Sequence, residues 1–175
     1  MKATENQVSQ VQWGVTIFPG SNCDHDGLDV FGRILNQNVR ELWHAEPIDP
    51  DLAGILIPGG FSYGDYLRSG AIARFAEVMV GLEKFVKAGK LLIGICNGFQ
   101  ILTEAGLLPG TLLKNTCLRF LCQEIFIRVE RNDTPFTSRY SLGQVLRIPI
   151  AHNEGNFFLP PAELAQLESN QQVVF

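Results

Sequence analysis

Short apolar runs alternate with amphipathic stretches through the first hundred residues. Residues 13–18 (WGVTIF), 54–57 (GILI) and 91–95 (LLIGI) are nearly continuous apolar segments, and the first two stop at Pro19-Gly20 and Pro58-Gly59-Gly60. Runs this short, bounded by turn residues, predict buried strands. Residues 39–43 (VRELW) are a shorter strand candidate. Between these runs the period changes. Residues 24–37 predict a helix, weakened by Gly27 and Gly32. Residues 71–88 carry the clearest helical pattern: Ile72, Phe75, Ala76, Met79, Leu82 and Val86 share one face, Arg74, Glu77, Lys84 and Lys87 fall mainly elsewhere, and Gly89 is a natural stop. Residues 97–105 predict another helix, ending at Gly106. Strands alternating with helices predict an α/β fold of three layers, with a mostly parallel sheet covered on both faces.

The pattern changes in the second half. Residues 123–130 (QEIFIRVE) alternate apolar and polar positions, as a half-exposed strand does, and residues 145–150 (VLRIPI) carry Pro149, which suits an edge or a strand end. These two predict a small antiparallel appendage. Residues 161–169 read as a short helix with proline in its first turn, and residues 171–175 as a strand just beginning. Residues 1–12 are polar and predict a flexible tail, leaving 13–175 as a single domain.

Composition narrows the classes. The chain has 175 residues, 46% of them apolar, enough to bury a core. The formal charge of −4 and the lack of a basic run argue against a nucleic-acid binder. The start lacks a signal peptide's apolar region, and no apolar run approaches the roughly 20 residues of a membrane span. Cys23, Cys96, Cys117 and Cys122 form no CxxC pair and have no histidine at metal-ligand spacing, so no metal site is expected. The expected setting is cytoplasmic and reducing, with all four as thiols.

Gly94-Ile95-Cys96-Asn97-Gly98 places a thiol where a predicted strand becomes a predicted helix. This is the nucleophile-elbow pattern with cysteine as the nucleophile. The elbow exposes the side chain at the sheet's C-terminal edge, the helix N-terminus favours the thiolate, and the Asn97 N–H points to where an oxyanion would form. The bland alternative is an inert core cysteine. A second glycine-rich turn, Pro58-Gly59-Gly60, follows another strand; the Gly60 N–H would be the second oxyanion donor if the two strands are neighbours, and otherwise the segment is a surface loop. It is not a P-loop, because no G-K-[ST] follows.

Four segments in order, residues 18–24 (FPGSNCD), 58–70 (PGGFSYGDYLRSG), 94–100 (GICNGFQ) and 150–157 (IAHNEGNF), resemble the small glutaminase subunits of phosphoribosylformylglycinamidine synthase, which are class I glutamine amidotransferases. The resemblance runs from about Trp13 to Phe175. It implies a flavodoxin-like fold. It also implies an activity: glutamine is hydrolysed to glutamate and ammonia through a γ-glutamyl thioester on Cys96, with oxyanion donors at Asn97 and Gly60. Gln100, Asn156 and Phe157 are implied to contact the substrate, and residues 61–68 to line the pocket or report the partner's state. The implied partners are a large synthetase subunit, which uses ATP and magnesium to convert formylglycinamide ribonucleotide to formylglycinamidine ribonucleotide, and a small bridging subunit. No cofactor is implied for this chain itself.

The family's nucleophile belongs to a Cys-His-Glu triad, with His and Glu from a later H-P-E segment that does not occur in these 175 residues. The expectation is a chain truncated at its C-terminus relative to the family, or a natural remnant, lacking the triad His and Glu and inactive or nearly so. Of the three histidines, His152 (with Glu154 two residues on) is the alternative base, against a hydrogen-bonded loop residue, while His25 and His44 read as structural or surface groups. Ser69 stands where the family commonly has cysteine, with no catalytic consequence expected. Cys23, Cys117 and Cys122 read as core or loop thiols, Cys23 following a strand and placed to face the same edge as Cys96, and Asp24, Asp26 and Asp29 as helix N-terminal charges. Two competing readings stay open: a thiol-elbow hydrolase or redox protein resembling the DJ-1/PfpI group, and an inactive truncated chain serving only as a binding module.

Overall fold

The computed structural model describes residues 12–175, which divide into two compact units, one ending at Pro109 and one running Gly110–Phe175. The expected tail lies outside the described residues except for Gln12, which opens the first strand.

In the first unit, strands β1 (Gln12–Ile17), β2 (Asn38–Trp43), β3 (Gly54–Ile57) and β4 (Leu91–Gly94) form one all-parallel sheet in the order β2-β1-β3-β4. Side chains alternate across a sheet. Val15 and Leu56, register partners, therefore point to one face, where helix α1 (Asp24–Asp29) lies with Gly27 against Leu56. Ile55 and Ile57 point to the other face, into a core shared with Phe18, Leu42, Leu52, Val78, Leu82 and Ile101. Both isoleucines are fully buried, each contributing about 1.5–3 kcal/mol relative to exposure. Helices thus cover both faces, as the alternating pattern predicts.

Three elements depart from expectation. First, residues 71–88 are not one helix. A short 3₁₀ turn (Ala73–Phe75) ends at Ala76, whose backbone is extended (φ −65°, ψ 151°), and the chain restarts as α2 (Glu77–Val80) and α3 (Leu82–Lys87). The Val78 N–H donates to the His44 carbonyl at 3.1 Å, so a contact with the loop after β2 replaces a helical bond. The break also resets the phase: Ala73, Val78, Leu82 and Phe85 are buried, while Phe75, expected in the core, is 74% exposed. Second, β4 is half-buried rather than buried, because it ends the described sheet and pairs there only with β3. Third, α1 continues through a π-turn (Val30–Ile34) and stops at Asn36, which has φ 50°, short of the expected end.

In the second unit, β6 (Leu121–Arg128) and β7 (Val145–His152) pair antiparallel from Leu121↔His152 to Arg128↔Val145, the appendage that the alternating residues predict. A further antiparallel pair was not foreseen: β5 (Thr111–Leu113) with β8 (Asn156–Phe158). Helix α5 (Pro161–Ser169) follows. Residues 171–175 form no strand; the chain turns at Gln171 (φ 54°), and the Val174 carbonyl accepts the Glu130 N–H at 2.9 Å. No described helix is long and apolar enough to cross a membrane, and no described group of three or more His, Cys, Asp or Glu could hold a metal ion.

Candidate active site

The polypeptide turns sharply between β4 and helix α4 (Asn97–Glu104), and Cys96 sits in that turn. Its backbone has φ 52° and ψ −111°. A non-glycine residue there is strained, at a cost of about 1–3 kcal/mol, and persists only because its surroundings hold it. Three bonds do so: Ile95 N–H to the Ile57 carbonyl at 3.0 Å, Gly98 N–H to Ile95 at 2.9 Å, and Gln100 N–H to the Cys96 carbonyl at 3.2 Å. The motif's outer glycines let the backbones close. A Cβ on Gly98 would strike the Ile57 carbonyl oxygen, and one on Gly94 would lie 2.8 Å from the Gly98 carbonyl oxygen. The first turn of α4 therefore rests on the ends of β3 and β4.

Cys96 is exposed, and all four cysteines are thiols. The amides of α4's first turn and the positive end of its dipole lie beside the Cys96 backbone, an environment that favours a developing oxyanion.

The glycine-rich turn after β3 reaches the same place. A Cβ on Gly59 would lie 3.4 Å from the Cys96 Cβ. Gly60, at φ 144°, forms an isolated antiparallel bridge with Ser21, and a Cβ there would meet the Asn22 nitrogen at 2.5 Å. Beyond it the chain is clasped to the elbow by Asn97, whose side chain is fully buried. The Asn97 Oδ1 accepts the Ser62 N–H at 3.1 Å, and its Nδ2 donates to Asp65 Oδ1 and to Gln100 Oε1, both at 3.1 Å. The loop so held contains three non-glycine residues at positive φ: Tyr63, Asp65 and Leu67. Farther along, Arg68 grips Glu104 with two bonds, at 2.7 and 2.6 Å, and Arg74 Nη1 donates to the Glu104 carbonyl at 3.1 Å. Loop and helix are thus tied at both ends of α4.

The first unit therefore brings together Cys96, Asn97, Gln100 and the Gly59-Gly60 turn. Gln100 is buried, its side-chain oxygen engaged by Asn97. Asn156 and Phe157 belong to the second unit, on β8, opposite Leu113 and Leu112. His152, also in the second unit, shares a 3.0 Å hydrogen bond between Nδ1 and Asn115 Oδ1, within a loop network that includes the Gly155 N–H. His44 Nδ1 lies 2.8 Å from the Tyr63 hydroxyl, and partial burial pushes the Tyr63 pKa up. His25 is exposed. Asp29 pairs with Arg33 at 2.7 Å, which holds its carboxyl below the usual range.

Two features were not anticipated in the sequence. The Asn97 side chain, as distinct from its N–H, is the clasp of the glycine loop, and Glu104 is the anchor for Arg68 and Arg74. Asparagine directly after Cys96 and a carboxylate at the end of the following helix were the only local signals.

Comparisons with known proteins give the family. Residues 10–175 match the CobB/CobQ-like glutamine amidotransferase domain. A protein of Moorella thermoacetica named phosphoribosylformylglycinamidine synthase subunit PurQ is 54% identical over 165 residues, spanning 94% of this chain and 70% of that one. A protein of Rubrobacter xylanophilus with the same name is 56% identical over 164 residues, 92% of this chain and 73% of that one. The solved structure of PurLQS from Thermotoga maritima superposes with a TM-score of 0.80 at 43% identity, covering 85% of this chain and 69% of that one.

Proposed function

The chain belongs to the PurQ family, the glutaminase subunits of phosphoribosylformylglycinamidine synthase, and from that premise we propose that Cys96 carries out the glutamine hydrolysis. The observation that carries the reading is the placement of an exposed, strained thiol at the N-terminus of α4, against the Gly59-Gly60 turn.

The Cys96 sulfur attacks the γ-carboxamide carbon of glutamine. The carbonyl oxygen becomes an oxyanion, received by the N–H groups of Asn97 and Gly60, which act where charge develops. The tetrahedral adduct collapses to a γ-glutamyl thioester, with the thiol proton delivered to the leaving nitrogen as ammonia. Water then adds to the thioester carbon, the C–S bond breaks, and glutamate leaves as a proton from the water returns to the Cys96 sulfur. Gln100 is the residue of the first unit proposed to contact the substrate. The Asn97–Ser62 bond ties the loop bearing Gly60 to the elbow, which supports a role for both amides at one oxyanion.

The ammonia serves an ATP-dependent synthetase that converts formylglycinamide ribonucleotide to formylglycinamidine ribonucleotide. The partners are the large synthetase subunit, whose ATP and magnesium drive that step, and a small bridging subunit; the name of the Thermotoga maritima structure, PurLQS, supports such an assembly. Ammonia released into water would be protonated and lost, which favours transfer within the complex. The matches do not favour the DJ-1/PfpI alternative.

The test is alkylation of the full chain by a glutamine-mimicking electrophile, with the labelled peptide located by mass spectrometry. The expected result is label on Cys96, slowed by added glutamine; labelling indifferent to glutamine would overturn the reading.

A further inference from the structure

We propose that Cys23 and Cys96 form a reversible oxidation site, in which a hydroperoxide oxidises Cys96 and Cys23 captures the product as a Cys23–Cys96 disulfide. The inference does not depend on the glutaminase reading, because it concerns only the meeting of two thiols.

The geometry centres on Gly59. Its carbonyl accepts the N–H of Cys23 at 3.1 Å and of Asn22 at 3.2 Å, which seats the loop before α1 on the end of β3. A Cβ on Gly59 would lie 3.4 Å from the Cys96 Cβ and 3.5 Å from the Cys23 sulfur. Both cysteine side chains therefore lie against the same glycine. A disulfide needs its Cβ atoms about 3.5–4.5 Å apart; side-chain rotation brings the two sulfurs toward each other, and any remaining Cβ separation is closed by the backbone of the loop before α1. Both residues are exposed, so an oxidant and a reductant can reach them.

The two thiols are chemically unlike, and the difference assigns their order. Cys23 lines an apolar cavity of about 310 Å³ with Gly27, Phe31, Leu56 and Ile93. Partial desolvation, followed by the charges of Asp26, Cys96 and Asp24, holds its pKa above the ordinary thiol value. It stays protonated at neutral pH and is a poor first target for peroxide. Cys96 lies outside that cavity, exposed at the turn into α4, and is the readier target. In the first step the Cys96 thiolate attacks the distal peroxide oxygen; the O–O bond breaks, the S–O bond forms and an alcohol or water leaves, giving the sulfenic acid. In the second step the Cys23 sulfur attacks the Cys96 sulfur; the S–S bond forms, the S–O bond breaks, and the Cys23 proton leaves with the hydroxyl as water. Two thiols lose two electrons in total and one peroxide gains them. A small dithiol reverses the change. While it lasts, the disulfide shields Cys96 from irreversible sulfinic acid formation.

The experiment treats the full chain with hydrogen peroxide, alkylates the remaining thiols, digests without reduction and identifies linked peptides by mass spectrometry. The expected result is a linked Cys23–Cys96 pair, lighter than the two separate peptides by two hydrogens and abolished by dithiothreitol. In Cys23→Ser, Cys96 is expected to accumulate as sulfinic acid that dithiothreitol does not remove, whereas wild type recovers its full thiol count. The proposal is overturned if wild-type Cys96 reaches sulfinic acid while Cys23 remains alkylatable, or if Cys23 links to Cys117 or Cys122 as readily as to Cys96. The wild-type measurement decides the matter even if the variant folds poorly.

Discussion

The buried carboxamide of Asn97 accepts the backbone N–H of Ser62 at 3.1 Å, joining the residue after Cys96 to the loop that follows Gly60. One side chain thus sets the distance between two segments that lie 35 positions apart. Its removal has a definite cost. Asn97→Ala leaves the Ser62 N–H, itself buried, without its acceptor and strips Asp65 and Gln100 of a donor. Leaving a buried donor unpaired costs about 1–3 kcal/mol. The expected outcome is a lower unfolding midpoint in urea and slower labelling of Cys96 by the glutamine mimic, although both the thiol and the Asn97 N–H are retained. An unchanged midpoint would show that the clasp contributes nothing.

Gly98→Ala tests the elbow's packing. The new Cβ would collide with the Ile57 carbonyl oxygen, which is strand backbone and cannot swing aside. Overpacking of this kind costs about 1–3 kcal/mol and occasionally more. Thermal unfolding should move down by several degrees, and Cys96 should lose its glutamine-protected labelling because α4 is pushed off β3. A variant with wild-type melting would mean that the helix and strand are less closely opposed than described.

These two sites mark how far the fold was legible in the sequence. The elbow was legible because each of its parts is local: an apolar run, a cysteine, and glycines two residues to either side. Strands β1 and β3 were legible for the same reason, being short apolar runs ended by Pro-Gly. The break at Ala76 was not, because it depends on a carbonyl at His44, and no pattern within 71–88 reports that partner. Strands β5 and β8 are three residues each, too short for any period to emerge. Likewise, the segments around Cys23 and Cys96 suggest only that both follow strands and face one edge; that both lie against Gly59 follows only once β1, β3 and β4 are laid side by side.

The Cys23 thiol gives a pH-dependent handle. Its pKa is raised, first by partial desolvation and next by the Asp26 carboxylate, which acts through charge and also through a hydrogen bond. At any given pH near neutrality it is therefore less ionised than an ordinary thiol. Because the folded chain holds this proton more tightly than the unfolded one, the associated stability is present below the ordinary thiol pKa and is lost as pH rises through the folded value. The rate of Cys23 alkylation by iodoacetamide should rise with pH to a midpoint above the usual thiol range, about 8.5. Asp26→Asn removes the largest charge contribution and should move that midpoint down. A midpoint that stays put, or moves up, would remove Asp26 from the account.

Cys96→Gly separates stability from chemistry. The native residue holds φ 52° and ψ −111°, a conformation that strains any side chain bearing a Cβ. Glycine adopts it with little steric penalty but loses more conformational entropy on folding, roughly 0.5–1 kcal/mol against alanine. The strain relieved, about 1–3 kcal/mol, exceeds that loss, so the variant should unfold at a higher urea concentration than wild type while taking up no label at this position. Cys96→Ala removes the same sulfur but keeps the Cβ, and should not show the gain. If both variants have equal midpoints, the elbow is unstrained, and the exposure of Cys96 must be explained by packing alone. If only the glycine variant gains, the protein is shown to sacrifice stability in order to hold a sulfur outward at the start of α4, as a reacting group there requires.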